Sequence, residues 1–80
     1  MTGIDTEAAI SEFQDGILTY LAARPHARDS VEGIAKSWLS LGVVLLPFVQ
    51  AALDRLVIDG EIAQTTLIDG TVIYHLPQSN

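Results

Sequence analysis

The sequence predicts an α+β fold in which three helices precede a C-terminal β-hairpin. Three successive segments carry apolar residues at helical spacing, which predicts three amphipathic helices. Asp69-Gly70 separates two short segments rich in β-branched residues, as a hairpin turn does. Gly60 stands between the last helical segment and the first of these strands. We therefore expect one domain over residues 1–80, with loose ends at 1–5 and 77–80.

The first helix is predicted from Thr6 to about Ala23. Thr6 or Asp5 can accept hydrogen bonds from the free N–H groups of the first turn. Pro25 ends the helix, because the residue before a proline is disfavoured in helical geometry. One apolar stripe runs along this helix and consists of Ile10, Phe13, Ile17, Tyr20 and Leu21.

The second helix is predicted to follow a short segment, with a short strand near residues 26–29. Asp29 and Glu32 have the spacing of a capping box, with Asp in place of Ser or Thr. The helix is expected to end around Ser40, and Gly42 is expected to make the turn after it. Its predicted buried side consists of Val31, Ile34, Ala35, Trp38 and Leu39.

The third helix is predicted to begin close to Pro47, because proline is tolerated in a first helical turn. Gly60 ends it, and two strands are expected at Glu61–Leu67 and Thr71–Leu76. Asp69-Gly70 predicts a type I′ turn, in which both central residues have positive φ. The inner stripe of this helix is predicted to be Val49, Ala52, Leu53, Leu56 and Val57.

The composition limits the classes of function. Of the 80 residues, 49% are hydrophobic, which is enough to supply a core in so short a chain. There are no cysteines, so disulfides and cysteine-based zinc sites are excluded. The N-terminus lacks the pattern of a secretory signal, and the apolar run Leu41–Val49 is too short to span a membrane. We expect a cytoplasmic protein that does not associate with membranes.

Over about residues 7–76 the chain resembles the winged helix-turn-helix family. The resemblance is carried by Ile34-Ala35, by the spacing Leu53-x-x-Leu56-x-x-x-Gly60-x-Ile62, and by the Asp69-Gly70 hairpin closed by Tyr74 and Leu76. It implies that the third helix is the recognition helix and that the hairpin is the wing. It implies little about function, because winged helices bind DNA, bind RNA or act purely in protein interactions.

The third helix lacks the basic side chains that winged helices use to bind DNA. Its implied DNA face contains no Lys or Arg and consists of Leu45, Leu46, Pro47, Phe48, Gln50, Ala51 and Asp54. Gln50 could contact an adenine, but Asp54 would lie unfavourably near phosphates. The wing tip has no cation either, and the net charge of −6 opposes approach to a polyanion. DNA binding through this face is therefore disfavoured.

A protein contact is the leading hypothesis. The six apolar residues from Val43 to Phe48 cannot all point inward on one helical turn, and an exposed apolar patch usually marks an interface. An extended turn that buries more of them is the alternative. Trp38 is either an interface anchor or a partly buried core residue. The candidate interface residues are Trp38, Val44, Leu45, Leu46, Phe48 and Gln50, in a homodimer or in a subunit or adaptor of a larger assembly.

Two further hypotheses involve DNA. The chain could be a dimeric transcription regulator that contacts phosphates through its basic residues Arg24, Arg28, Lys36 and Arg55, although Arg55 is expected to form a salt bridge with Asp54, Asp59 or an acid of the first helix. Alternatively, its acidic surface could mimic DNA.

Nothing in the sequence predicts catalysis, a cofactor or a small-molecule substrate. His26 and His75 are far apart, and no zinc-binding or nucleophile motif is present. His75 is expected to be structural. We therefore expect a protein that is not an enzyme and has no metal site.

Overall fold

The computed structural model describes residues 5–77 and shows three helices and a three-stranded antiparallel sheet. Most of the predicted loose ends lie outside the described residues. The arrangement is compatible with a winged-helix-like fold. Helix α1 spans Thr6–Ala23, α2 begins at Val31–Gly33 and continues as a π-helical turn at Ile34–Trp38, and α3 spans Leu46–Ile58. Strands β1, β2 and β3 span Arg28–Asp29, Ala63–Thr66 and Val72–His75.

Helix α1 has the predicted bounds, and Asp5 rather than Thr6 caps it. The Asp5 carboxylate accepts a hydrogen bond from the Ala8 N–H at 3.2 Å. At the other end, the Arg24 N–H donates to the Tyr20 carbonyl just before Pro25. The side chains of Ile10, Ile17 and Leu21 are buried along one face, so the predicted apolar stripe is confirmed for these residues.

The predicted cap of α2 is wrong by one residue. Ser30 is the N-cap, and its hydroxyl accepts from the Gly33 N–H at 3.3 Å. Asp29 instead belongs to β1, where its backbone pairs with Tyr74 and is therefore extended. Its carboxylate accepts from the Ser30 N–H at 2.8 Å. The side chain thus supports the start of the helix from outside it.

The turn after α2 is made by Ser40, not by Gly42. Ser40 has a φ of +56°, whereas Gly42 is extended with a φ of −81°. The reversal at Ser40 lets the Leu41 N–H donate to the Ala35 carbonyl at 2.7 Å. Gly42 then precedes a 3₁₀ turn, Val43–Leu45, that leads directly into α3.

Helix α3 supplies much of the core. Its side chains Val49, Ala52, Leu53 and Leu56 are fully shielded from solvent, as predicted. Val57, predicted as part of the same stripe, is only partly buried and packs at the edge of the core. Gly60, with a φ of +78°, ends the helix. The core also receives buried side chains from the other elements and from the segment before β2: Ile10, Ile17, Leu21, Ile34, Ala35, Ile62 and Tyr74.

The predicted hairpin is present, and β1 adds a third strand within the predicted range. The order is β1-β3-β2, with Asp29 opposite Tyr74 and Gln64 opposite Tyr74 on its other side. All pairs are antiparallel.

The hairpin turn is not the predicted type I′. Only Gly70 has a positive φ, at +93°, and the Leu67 N–H donates to the Thr71 carbonyl across a three-residue loop. The Asp69 carboxylate accepts from the Thr71 N–H at 2.9 Å, and this hydrogen bonding lowers the pKa of Asp69. The aspartate is thus used as a side-chain acceptor rather than as a residue with positive φ.

Gly42 and Gly60 both have open space around them, but their backbone conformations differ. Substituting each by alanine therefore tests whether Gly60 is needed for the turn that ends α3. An added Cβ would meet nothing within 4 Å at Gly60 or at Gly42, but only Gly60 has a positive φ. We expect Gly60→Ala to lower the free energy of unfolding by about 1–2 kcal/mol. Gly42→Ala is expected to be neutral or to stabilise by up to about 1 kcal/mol. Denaturant unfolding would measure both, and equal effects would contradict this description of the turn.

Candidate interaction surface

The face of α3 opposite the core is exposed and mostly apolar. Residues on one helix face recur every three or four positions. Counting back at this spacing from the exposed face of α3 reaches Val44, just before the helix. We call the set Val44, Pro47, Ala51, Asp54 and Ile58 the outer stripe. Ile58 is 83% exposed and Val44 is 80% exposed, whereas Ala51 is partly buried and also touches the core. Val43, beside the stripe, is also 80% exposed.

The predicted interface residues are not equally accessible. Val44 is exposed, and Leu45 is partly exposed. Leu46 and Phe48 are partly buried and pack against the core, so the turn does shelter part of the apolar run. The run therefore divides into partly buried residues, Leu45, Leu46 and Phe48, and exposed residues, Val43, Val44 and Pro47.

Gln50 is engaged within the chain. Its side-chain nitrogen donates to the Tyr74 hydroxyl at 2.8 Å and to the Asp54 carboxylate at 3.0 Å. The Gln50–Tyr74 hydrogen bond joins one flank of α3 to β3. An amide held in this way would have to give up both bonds to contact an adenine, so the arrangement disfavours base recognition by Gln50.

Trp38 is partly buried and packs against α1. Its ring stacks on Tyr20, with centroids 4.6 Å apart and planes 8° from parallel. The Arg24 guanidinium lies over the Tyr20 ring, 4.6 Å from its centroid, in a cation–π arrangement. Trp38 thus has the packing of a core-edge residue joining α1 to α2.

The four basic residues do not converge on the outer stripe. Arg24 follows α1, Arg28 is in β1, and Lys36 is in the π-helical turn. Arg28 and His26 line an open cavity of about 650 Å³ together with His75. The fourth, Arg55, lies on α3 but is paired with a carboxylate of α1.

The Arg55–Glu7 pair is bidentate and is the only salt bridge within residues 5–77. The two guanidinium nitrogens donate to the two carboxylate oxygens at 2.8 and 2.7 Å. The hydrogen bonds and then the charge of Arg55 lower the pKa of Glu7, and the Glu7 bond raises the pKa of Arg55. A first-helix acid was among the predicted partners of Arg55. Its charge is therefore neutralised beside α3 rather than offered to a phosphate.

The surroundings of His75 are compatible with the structural role predicted for it. The side chain is buried, with its Nε2 2.8 Å from the Thr65 hydroxyl and its Nδ1 2.8 Å from the Leu76 carbonyl. Both ring nitrogens are therefore occupied. Across the described part of the chain, no group of three or more potential metal ligands occurs.

Three exposed apolar residues, Ile58, Leu67 and Ile68, were not predicted from the sequence. Ile58 follows Leu56 by two residues, so helical spacing alone places it about 200° away from the core stripe. At the hairpin tip, Ile68 is completely exposed and Leu67 is 46% exposed. The signal there was an apolar pair directly before a turn sequence, where polar residues are usual.

Comparisons with protein-family models, curated proteins and solved structures gave no match for this chain. Among the described helices, none is both long and apolar enough to cross a membrane.

The Arg55–Glu7 pair predicts a pH-dependent contribution to stability. Because the pKa of Glu7 is lowered in the folded state, the contribution is present above the ordinary Glu value, about 4.3, and is lost as the pH falls through the lowered pKa. We expect the difference in Tm between the wild type and Arg55→Gln to shrink from about pH 6 to about pH 2.5. Lys36→Gln is the control, since Lys36 forms no salt bridge within the described residues. A difference that stays constant for Arg55→Gln would show that the pair does not stabilise the fold.

Proposed function

We propose that this chain is a winged-helix domain that acts as a non-catalytic protein–protein interaction module. The order helix, strand, helix, helix, hairpin supports the winged-helix assignment. The pairing of β1 with β3 supports it further, since it joins the hairpin to the segment between the first two helices. In this assignment α3 is the recognition helix, and the surface it presents decides what the domain binds.

The observation that carries the proposal is the exposure of Val43 and Val44 at the start of α3. Two adjacent valines, each 80% exposed, lie in the 3₁₀ turn directly before the proposed recognition helix. Burying a valine side chain fully contributes about 1.5–3 kcal/mol. A partner that covers both can therefore gain affinity from them, whereas the folded monomer gains almost nothing.

The charges of α3 favour a protein over DNA. The outer stripe has a carboxylate, Asp54, and no cation, and the cation beside it, Arg55, is paired with Glu7. Phosphate contacts supply much of the affinity of DNA-binding proteins, chiefly through Lys and Arg, which displace counterions. Placing Asp54 against a polyanion would instead oppose binding.

Val44→Asp tests the proposal because it changes the contact without changing the core. We expect its free energy of unfolding to stay within about 0.5 kcal/mol of wild type, since Val44 is exposed. Leu46 and Phe48 are less suitable, because they pack against the core. The control is Ala22→Asp, which places the same charge on an exposed position of α1.

Affinity capture from the native cell extract, with denaturant unfolding alongside, would measure the outcome. We expect at least one protein to be retained by wild type and by Ala22→Asp but not by Val44→Asp. Retention of the same proteins by all three baits would refute the role of this surface.

The regulator hypothesis is tested separately by fluorescence anisotropy with duplex DNA at low salt. We expect no binding. Saturable binding that weakens steeply with salt and is lost on substitution of Arg24, Arg28 and Lys36 would support DNA recognition instead.

A further inference from the structure

We propose that the outer stripe of α3 binds an amphipathic helix of another protein, and that Lys or Arg residues flank one end of that helix's apolar side. This inference rests on the proposed function and adds the chemistry of the partner.

The spacing of the outer stripe is that of a helix-packing seam. Its members are separated by three, four, three and four residues, which is the a/d repeat of a coiled coil. A strand or loop partner would not need this repeat. A helix lying along α3 would meet an apolar or small side chain at each step except Asp54.

The length of the seam suits a helix. The 13 residues of α3 rise by about 20 Å, and the three residues of the preceding 3₁₀ turn add about 6 Å. A partner helix of about 17 residues covers that distance. Ala51, near the middle, lets the two backbones approach closely because its side chain is small.

The charge along the seam is uneven, and this sets the chemistry of the partner. Residues 37–53 contain no charged side chain, so the segment around Val44 has no carboxylate of its own. At the other end, Asp54, Asp59 and Glu61 are exposed around Ile58. The C-terminal end of the helix dipole adds partial negative charge at the same place. A partner with cations beside this end alone is complementary to the whole seam.

A second copy of the chain fits the seam poorly. In a parallel pair, Asp54 would face Asp54 of the other copy. In an antiparallel pair centred on Ala51, the two carboxylates would lie about 9 Å apart along the axis. Arg55 is held by Glu7 in either arrangement, and each copy brings a net charge of −6. A different protein with basic residues avoids this repulsion.

The test uses the full chain and three fluorescent peptides of about 18 residues that share one leucine seam. Their last turn carries lysines, glutamines or glutamates. Anisotropy titrations are expected to show the order of affinity lysine, glutamine, glutamate. Asp54→Asn keeps the shape of the side chain and the hydrogen-bond acceptor for Gln50. It should lower the affinity for the lysine peptide by about threefold, as expected for loss of an exposed ion pair. Asp15→Asn, which removes an exposed carboxylate of α1, should leave that affinity unchanged.

Equal binding of the lysine and glutamine peptides, or equal losses in Asp54→Asn and Asp15→Asn, would overturn the proposed charge match. Sedimentation equilibrium showing a wild-type dimer that Ile58→Asp dissociates would assign the seam to a second copy. Both results leave the proposed function intact. If Val44→Asp binds every peptide as well as wild type does, the seam itself is wrong, and so is the surface on which the proposed function rests.

Discussion

The packing of the inner face of α3 is the constraint on which the remaining structure depends. Val49, Ala52, Leu53 and Leu56 are fully buried against the other elements, so the rotation of α3 about its own axis is fixed. Deleting such side chains typically costs about 2–5 kcal/mol for a Leu, a large share of the stability of a small domain. With the rotation fixed, the residues on the opposite side have no place in the core. The outer stripe is therefore exposed as a consequence of how the core is built.

Two polar contacts hold the flanks of the same helix. On one flank Gln50 donates to Tyr74 of β3, and on the other Arg55 pairs with Glu7 of α1. Side chains that would otherwise contact solvent or a ligand are thus used to join α3 to the sheet and to the first helix. What remains for a ligand is apolar, apart from Asp54. The same arrangement that steadies the helix also withdraws its cation and its amide from nucleic-acid recognition.

Much of the fold could be predicted because its determinants are local or periodic. The bounds of α1, the core stripe of α3 and the position of the hairpin all follow from apolar spacing, proline and glycine. Two of the errors arose where a side chain had two possible roles. Asp29 can cap a helix, but its strand pairing with Tyr74 assigns the cap to Ser30. Asp69 can adopt positive φ, but it accepts a hydrogen bond instead. The apolar run Val43–Phe48 was visible in the sequence, yet only tertiary packing separates its buried members from Val43 and Val44.

The proposed role of the outer face of α3 is to contact another protein. Site-specific photocrosslinking tests it most directly, with p-benzoylphenylalanine placed at Ile58 and, as a control, at Glu12, an exposed position of α1. After irradiation of the native host cells, we predict that the probe at Ile58 gives a discrete adduct with a protein and that the probe at Glu12 does not. Adducts with nucleic acid at Ile58, or the same adducts at both positions, would contradict the account.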